Sequence, residues 1–217
     1  MDYDQAYRDT ARYFGSAPDL LLEKWVTCLE SRRPVLDVGC GQGRNSVYLA
    51  RQGLSVHAVD PSPVAIGQLE RRISEEKLAI HTVCAGFSEA NLKHDDYGGV
   101  LLFGLVQELE WPVIGSLTEF CRQHLAAGGL LLVTAFSTLD PIYPYHHRTW
   151  RTIGHNSYRS PEGGIRTYLE PDQVLELFDG YDVLHHWEGL GPEHRHGDGP
   201  PERHGRVEAV FRRPPGE

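Results

Sequence analysis

The sequence has 217 residues, of which 40% are hydrophobic, and a formal net charge of −9. This length predicts one domain over residues 1–217 with a single apolar core. The negative charge disfavours an exposed nucleic-acid-binding face, because such a face neutralises phosphates with lysine and arginine. A small-molecule partner is therefore favoured over a nucleic acid.

The sequence indicates neither a membrane span nor a disulfide framework. No apolar run approaches the roughly 20 residues that cross a bilayer, and the first residues lack the pattern of a signal peptide. The four cysteines are scattered, with no Cys-x-x-Cys pair, so a thiolate metal site is not expected. These features predict a cytoplasmic protein without membrane contacts.

Residues 1–31 are predicted to form two helical pieces, separated by residues 15–19. The first piece carries four aromatic residues, Tyr3, Tyr7, Tyr13 and Phe14. Aromatic side chains at helical spacing usually pack on a core, but this piece could also fold over a ligand. Both interpretations stay open, and residues 1–31 are a candidate helical lid.

The stretch from residue 34 to residue 46 predicts a strand, a tight glycine turn and the start of a helix. Such a turn lets the backbone approach a ligand, and the helix start presents unpaired amides. Its glycines are Gly39, Gly41 and Gly43, and Arg44 stands at the sixth position, where a dinucleotide motif has glycine. Asp37 precedes the turn and suits a cationic amino-acid cofactor better than a polyanion. The stretch predicts a cofactor site that is not for a dinucleotide.

The next predicted strand, residues 55–59, leads to Asp60. A carboxylate at this strand end can accept two hydrogen bonds from a ribose diol. Asp60 and the adjacent Pro61 are therefore candidate cofactor-binding residues.

Two further strands supply the remaining cofactor candidates. A strand over residues 78–84 precedes Gly86 and Phe87, and the ring of Phe87 can stack on a flat part of the cofactor. Residues 98–103 are nearly all apolar, which is typical of a central parallel strand. Gly104 follows at its carboxyl end, where open α/β sheets bind ligands.

The second half of the chain is predicted to complete the sheet. A helix from Pro112 and a strand over residues 130–136 continue the strand-helix-strand repeat of a parallel, doubly wound sheet. Residues 181–188 and 206–212 are predicted strands without an intervening helix, so they form an antiparallel hairpin at one edge. Residues 137–168 are a long, aromatic-rich loop, and we expect this insertion to line the acceptor pocket.

From Asp37 to Ala50 the sequence, DVGCGQGRNSVYLA, is similar to the first motif of the tellurite-resistance (TehB-type) methyltransferases. Residues 137–144, residues 180–184 and Glu188 with His194-Arg195 also resemble that family. The resemblance implies a class I methyltransferase fold, a three-layer Rossmann-like α/β domain with a seven-strand, mostly parallel sheet. It also implies S-adenosylmethionine (SAM) as methyl donor and S-adenosylhomocysteine as product.

The resemblance further implies where the acceptor binds. In the family a His-Arg pair in the last loop, with one more arginine, holds an anionic oxyanion. Here the pair would be His194 and Arg195, with Arg203 or Arg206 as the further arginine. A soft anion such as tellurite, selenite or a thiolate needs only such cationic holders.

Three alternatives stay open at this point. A hydroxyl or amine acceptor would need a base, for which the candidates are His155, His146 and Glu108. A SAM-binding protein without catalysis is a second alternative, and a nicotinamide enzyme, disfavoured by Arg44, is a third. A metal site at His194, His196 and His204 is not predicted, because no closed set of four ligands is present. Both a monomer and a homodimer are compatible with the sequence.

Overall fold

A computed structural model of the chain describes residues 3–195, 197 and 199–215. Residues 1–2 and 216–217 of the predicted domain, and His196, lie outside the described residues. The main sheet has the order β3-β2-β1-β4-β5-β10-β9. Its strands are β1 (Val35–Val38), β2 (Val56–Asp60), β3 (Ile80–Cys84), β4 (Tyr97–Phe103), β5 (Leu125–Phe136), β9 (Asp182–Leu190) and β10 (Gly205–Arg212).

The helices lie before, between and after these strands. They are α1 (Tyr3–Asp9), α2 (Leu20–Trp25), α3 (Arg44–Arg51), α4 (Pro63–Glu76), α5 (Trp111–His124), α6 (Tyr143–Thr149) and α7 (Gln173–Leu177). Short 3₁₀ turns cover Val26–Cys28, Phe87–Glu89 and Val106–Glu108. Among the described helices, none combines the length and the apolarity that crossing a membrane requires.

The sheet is parallel from β3 to β5, and β10 is antiparallel to both β5 and β9. The predicted doubly wound sheet and its C-terminal hairpin are therefore confirmed. The chain runs outward from β1 through β2 to β3 and then returns to β4 beside β1. This reversal opens a crevice at the carboxyl ends of β1 and β4, the usual ligand site of such sheets.

The core covers both faces of the sheet. One apolar cluster packs β1, β4, β5 and β10 against α5 and α7, and a second packs the other face against α2 and α3. Every residue of β1 is buried, which explains why its sequence is apolar without alternation except at Asp37. The core fixes the strand ends that carry the glycine turn.

The predicted long loop over residues 137–168 contains regular structure instead. It holds α6 and a separate antiparallel sheet of β6 (Arg151–Gly154), β7 (Ser157–Arg159) and β8 (Ile165–Thr167). The indole Nε1 of Trp111 donates to the carbonyl of His155 at 2.6 Å, and Thr167 Oγ1 donates to the Leu109 carbonyl at 2.6 Å. These contacts with the loop after β4 hold strands that are too short to be stable alone.

Candidate functional site

The glycine turn after β1 forms the floor of the site. Gly39, Gly41 and Gly43 all have positive φ values, of 72°, 52° and 76°. A Cβ at Gly41 would lie 3.0 Å from the hydroxyl of Tyr7, and one at Gly43 would lie 2.4 Å from a methyl of Leu69. Only glycine therefore combines this backbone with the close packing on both sides.

Asp60 lies directly beside this turn at the end of β2. One carboxylate oxygen accepts from the Gly41 amide at 2.8 Å, and the other accepts from the Ser62 amide at 2.9 Å. Burial raises the pKa of Asp60, and the two amide hydrogen bonds oppose that shift. Each oxygen keeps a second lone pair for a ligand hydroxyl.

The N-terminal segment covers the turn. The Tyr13 amide donates to Gln42 Oε1 at 2.8 Å, and Gln42 Nε2 donates to the Thr10 carbonyl at 2.8 Å. Arg44 Nη1 donates to the Phe14 carbonyl at 3.1 Å. The aromatic rings pack on one another and on the cavity, in the contacts Tyr3–Tyr7, Tyr7–Tyr13 and Tyr13–Phe14. This geometry fits the candidate lid, which stays a hypothesis.

A cavity of about 550 Å³ lies between the turn, the N-terminal segment and the loops after β4 and β5. Among the described residues, five arginines and three carboxylates line it, although the chain as a whole is acidic. These are Arg12, Arg44, Arg72, Arg166 and Arg206, with Asp19, Asp60 and Glu108. The volume lies in the range of small-molecule sites.

Asp19 joins two of these arginines on one wall. Its carboxylate accepts from Arg206 Nη2 at 3.1 and 3.2 Å and lies 3.8 Å from Arg44 Nη2. Asp19 also caps α2 by accepting from the Leu21 amide. The Nε of Arg206 is buried and has no hydrogen-bond partner among the described residues. Arg206 itself lines the cavity.

A second charged group links the N-terminal segment to the opposite wall. Glu108 accepts from the Tyr3 hydroxyl at 2.8 Å and from Arg166 Nη1 at 2.5 Å. Burial raises the pKa of Glu108, while Arg166 and Tyr3 lower it. The sequence alone identifies neither Arg166 as a site residue nor Glu108 as the partner of Tyr3. Tyr3, Glu108 and Arg166 meet only when β8 packs on the turn after β4.

The structure brings most, but not all, of the candidate cofactor residues to the cavity. Its lining includes Gly39, Gly41, Arg44, Asp60, Pro61 and Gly104.

The other candidates lie outside the lining. Asp37 is buried below the turn, where it accepts from Ser46 Oγ at 2.6 Å, and burial raises its pKa to about 6. Gly43 packs against Leu69. Phe87 packs on Phe120 instead, and Gly86 precedes it away from the lining.

Two of the acceptor candidates, His155 and Arg195, lie outside the cavity lining. The side chain of His155 is 61% exposed and pairs with Glu170 at 2.9 Å, away from the cavity. The exposed Arg195 donates to the Gly199 carbonyl at 2.9 Å and does not line the cavity either. Of the candidate acceptor residues, the cavity includes His194, Arg206 and Glu108.

His204 also lines the cavity, next to His194. Its ring stacks on Phe136, with centroids 4.4 Å apart, and its Nδ1 lies 3.0 Å from the buried carboxylate of Asp140. Sequence reasoning had no local signal for Asp140, because 64 residues separate it from His204.

Residues 35–129 match the family described as Methyltransferase domain. The probable SAM-dependent methyltransferase TehB of Haemophilus influenzae is 29% identical over 152 residues, covering 70% of this chain and 50% of TehB. The chain spans about half the length of the first curated relatives it matches.

Solved structures share the fold. The crystal structure of Haemophilus influenzae TehB has a TM-score of 0.68 at 20% identity, covering 89% of this chain and 61% of TehB. A second structure is 1,6-didemethyltoxoflavin-N1-methyltransferase of Burkholderia thailandensis, crystallised with 1,6-didemethyltoxoflavin and S-adenosylhomocysteine. Its TM-score is 0.69 at 17% identity, over 98% of this chain and 86% of that one.

The sheet order, the glycine turn and the matched domain define the class that the chain resembles, the class I SAM-dependent methyltransferases. Within that class the chain resembles TehB. The resemblance and the fold predicted from residues 37–50 are both confirmed.

Proposed function

We propose that this protein transfers a methyl group from SAM to a small, anionic acceptor. The observation that carries the proposal is the cavity itself, whose lining combines the glycine turn and Asp60 with five arginines. When bound, SAM supplies an electrophilic methyl group on its sulfonium. The protein's task is then to position the acceptor and to exclude water.

The residues of the turn fit such a cofactor. Gly39 and Gly41 line the cavity, so the turn presents backbone without side chains to an amino-acid chain. Asp60 retains lone pairs for ribose hydroxyls, and the aromatic residues of the N-terminal segment close the site against water. Asp37 lies below the glycine turn and accepts a hydrogen bond from Ser46 in the first turn of α3. In this proposal it orients the turn and does not contact the cofactor.

The charge of the wall supports an anionic acceptor. Five arginines face three carboxylates around the cavity of a protein whose net charge is −9. Arg206 replaces Arg195 as the proposed holder, because Arg206 lines the cavity and Arg195 does not. A soft anion, such as a thiolate, selenite or tellurite, arrives deprotonated and needs no base.

A second candidate is methyl transfer to a hydroxyl or amine, with Glu108 as the base. The raised pKa of Glu108 and its place in the cavity favour this alternative. Its hydrogen bonds from Tyr3 and Arg166 count against it, since they occupy the carboxylate. His146 is less suited, because it is buried against Trp150 and Tyr168.

The test incubates the full chain with methyl-labelled SAM and a panel of thiols, selenite, tellurite, phenols and amines. We expect label in one of the anionic acceptors and SAM binding in a calorimetric titration. Label only in phenols or amines would favour the Glu108 alternative. SAM binding without transfer to any acceptor of the panel would instead support a non-catalytic SAM-binding protein.

A further inference from the structure

The loop between β9 and β10 places three potential metal ligands on one face. His194 and Glu202 form an antiparallel bridge, in which the His194 amide donates to the Glu202 carbonyl at 3.0 Å and the reverse bond measures 2.9 Å. Residues paired in this way direct their side chains to the same side. His204 follows two residues after Glu202 and therefore shares that side.

The side chains meet as this backbone arrangement predicts. One ligand atom from each of His194, Glu202 and His204 lies within 4.8 Å of the others, and His204 Nε2 is 3.8 Å from a Glu202 oxygen. Three ligands about 2.1 Å from a tetrahedral ion would stand about 3.4 Å apart. Small side-chain rotations thus suffice to form a coordination site.

The hydrogen bonds of the two histidines favour metal binding. His194 Nδ1 lies 3.2 Å from the Pro192 carbonyl, and His204 Nδ1 lies 3.0 Å from the Asp140 carboxylate. Both oxygens only accept, so each Nδ1 carries the proton and each Nε2 carries the lone pair. Metal-binding histidines have this pattern, in which a carbonyl or carboxylate orients the ring from behind.

We infer that His194, Glu202 and His204 bind a divalent transition-metal ion of the zinc type at the acceptor end of the cavity. Two imidazoles and a carboxylate are an established ligand set for zinc, and three protein ligands leave a position open. His194 and His204 line the cavity, so the site adjoins the space proposed for the acceptor. The ion's role rests on the proposed function: it would bind the anionic atom that receives the methyl group.

A second cluster provides an internal comparison. Asp172, His186 and Glu188 also lie close together, but Glu188 Oε1 accepts from the Asp172 amide at 2.9 Å and lies 3.1 Å from His186 Nε2. His186 Nδ1 lies 3.6 Å from the Asp172 carboxylate, so both ring nitrogens face carboxylates of the cluster itself. None of the three residues lines the cavity. This cluster pairs internally and lacks the orienting contacts of the first.

The test titrates the tag-free, chelator-treated full chain with Zn²⁺ by calorimetry and with Co²⁺ by visible absorption. We expect a single site, with the d–d bands of Co²⁺ bound to nitrogen and oxygen. Glu202→Gln removes one ligand charge from a partly exposed side chain, and the double variant His194→Ala, His204→Ala removes both imidazoles. Asp140→Asn changes the carboxylate that orients His204 and also accepts from the Ile142 and Gly205 amides, and it should weaken Zn²⁺ binding by about 10- to 100-fold.

Two controls separate this site from other sources of binding. Glu193→Gln makes the same charge change at an exposed residue of the same loop, and His186→Ala disables the second cluster. Both should bind Zn²⁺ like the unmodified chain. The inference is overturned if the unmodified chain binds no Zn²⁺, if Glu202→Gln binds it unchanged, or if His186→Ala is the variant that loses it. Should the double variant unfold, as circular dichroism would reveal, Glu202→Gln still decides.

The metal inference and the proposed function can fail separately. Methyl transfer by a chain that binds no Zn²⁺ would overturn the metal inference and support the proposed function. Zn²⁺ binding at these residues without methyl transfer to any acceptor would support the metal inference and contradict the proposed function.

Discussion

The two ends of the cavity are built in different ways. The cofactor end comes from the short stretch of residues 37–46 and from Asp60, and it acts through backbone conformation and amide groups. The acceptor end comes from side chains far apart in sequence, including Glu108 and Arg166 on one side and Asp19 and Arg206 on the other. A site formed by backbone groups can be predicted from a local sequence motif, whereas a site formed by distant side chains depends on tertiary packing.

The largest expected effect is a loss of stability on substitution of a glycine at the cofactor end. Gly43→Ala forces a side chain into a positive-φ position and against the buried Leu69. The backbone costs about 1–2 kcal/mol and the overpacking about 1–3 kcal/mol, so urea unfolding should show a loss of roughly 2–5 kcal/mol. SAM affinity should fall with it.

The matched control for this variant is Gly53→Ala. Gly53 has a φ of 85°, but nothing lies within 4 Å of a Cβ there. It should therefore lose only the backbone contribution of about 1–2 kcal/mol. Equal losses for the two variants would show that the contact with Leu69 contributes nothing.

The next effect tests the acceptor end. Arg206→Gln removes a charged donor from the cavity wall, and hydrogen bonds to charged groups contribute about 1.5–3 kcal/mol. We expect kcat/KM for the anionic acceptor to fall about 10- to 100-fold, with SAM affinity nearly unchanged. Arg195→Gln, which alters an exposed arginine of the neighbouring loop, should leave kcat/KM within about twofold, as surface substitutions usually do. The reverse ranking would return the acceptor contact to Arg195.

The same difference between local motif and tertiary packing separates the features that the sequence predicts from those that it does not. The apolar runs of β1, β4 and β5 and the glycine turn after β1 were predictable, since burial on both faces dictates their composition. The short strands β6, β7 and β8 were not, because they depend on contacts from Trp111 and Thr167 to distant backbone. Arg166 reaches Glu108 only through that packing. For the same reason the sequence does not show which histidines and arginines of the loops reach the cavity. His155 and Arg195 are both candidates from the sequence, and both lie outside the cavity lining.

Asp60 offers a smaller and sharper test of the cofactor end. Asp60→Asn keeps the shape of the side chain but loses the charge that strengthens its hydrogen bonds. SAM should bind about tenfold more weakly, corresponding to about 1.4 kcal/mol, when measured by calorimetry. Asp37→Asn is the comparison, since Asp37 contacts Ser46 below the turn. It should change SAM affinity by less than about threefold, and an equal loss in both variants would place Asp37 in the cofactor site.

The smallest expected effect concerns the group that connects the two ends. The Glu108 carboxylate accepts from Tyr3 of the candidate lid and from Arg166 of the proposed acceptor wall, and only its ionised form holds Arg166 firmly. Methyl transfer should therefore be retained above the raised pKa of Glu108 and lost as the pH falls through it. Tyr3→Phe removes one of the contacts that oppose the shift, so the acid limb should move to higher pH.

The size of that shift follows from the energy of the lost hydrogen bond. A neutral donor contributes about 0.5–1.5 kcal/mol, which corresponds to roughly 0.4–1 pH unit. The measurement is the transfer rate against pH at saturating SAM, with the exposed Tyr145→Phe as a control that should keep the original limb. An acid limb unchanged in Tyr3→Phe would mean that the lid does not act on the acceptor wall through Glu108. The two ends would then be coupled only by the shared cavity, and the role proposed for the candidate lid would be limited to excluding water.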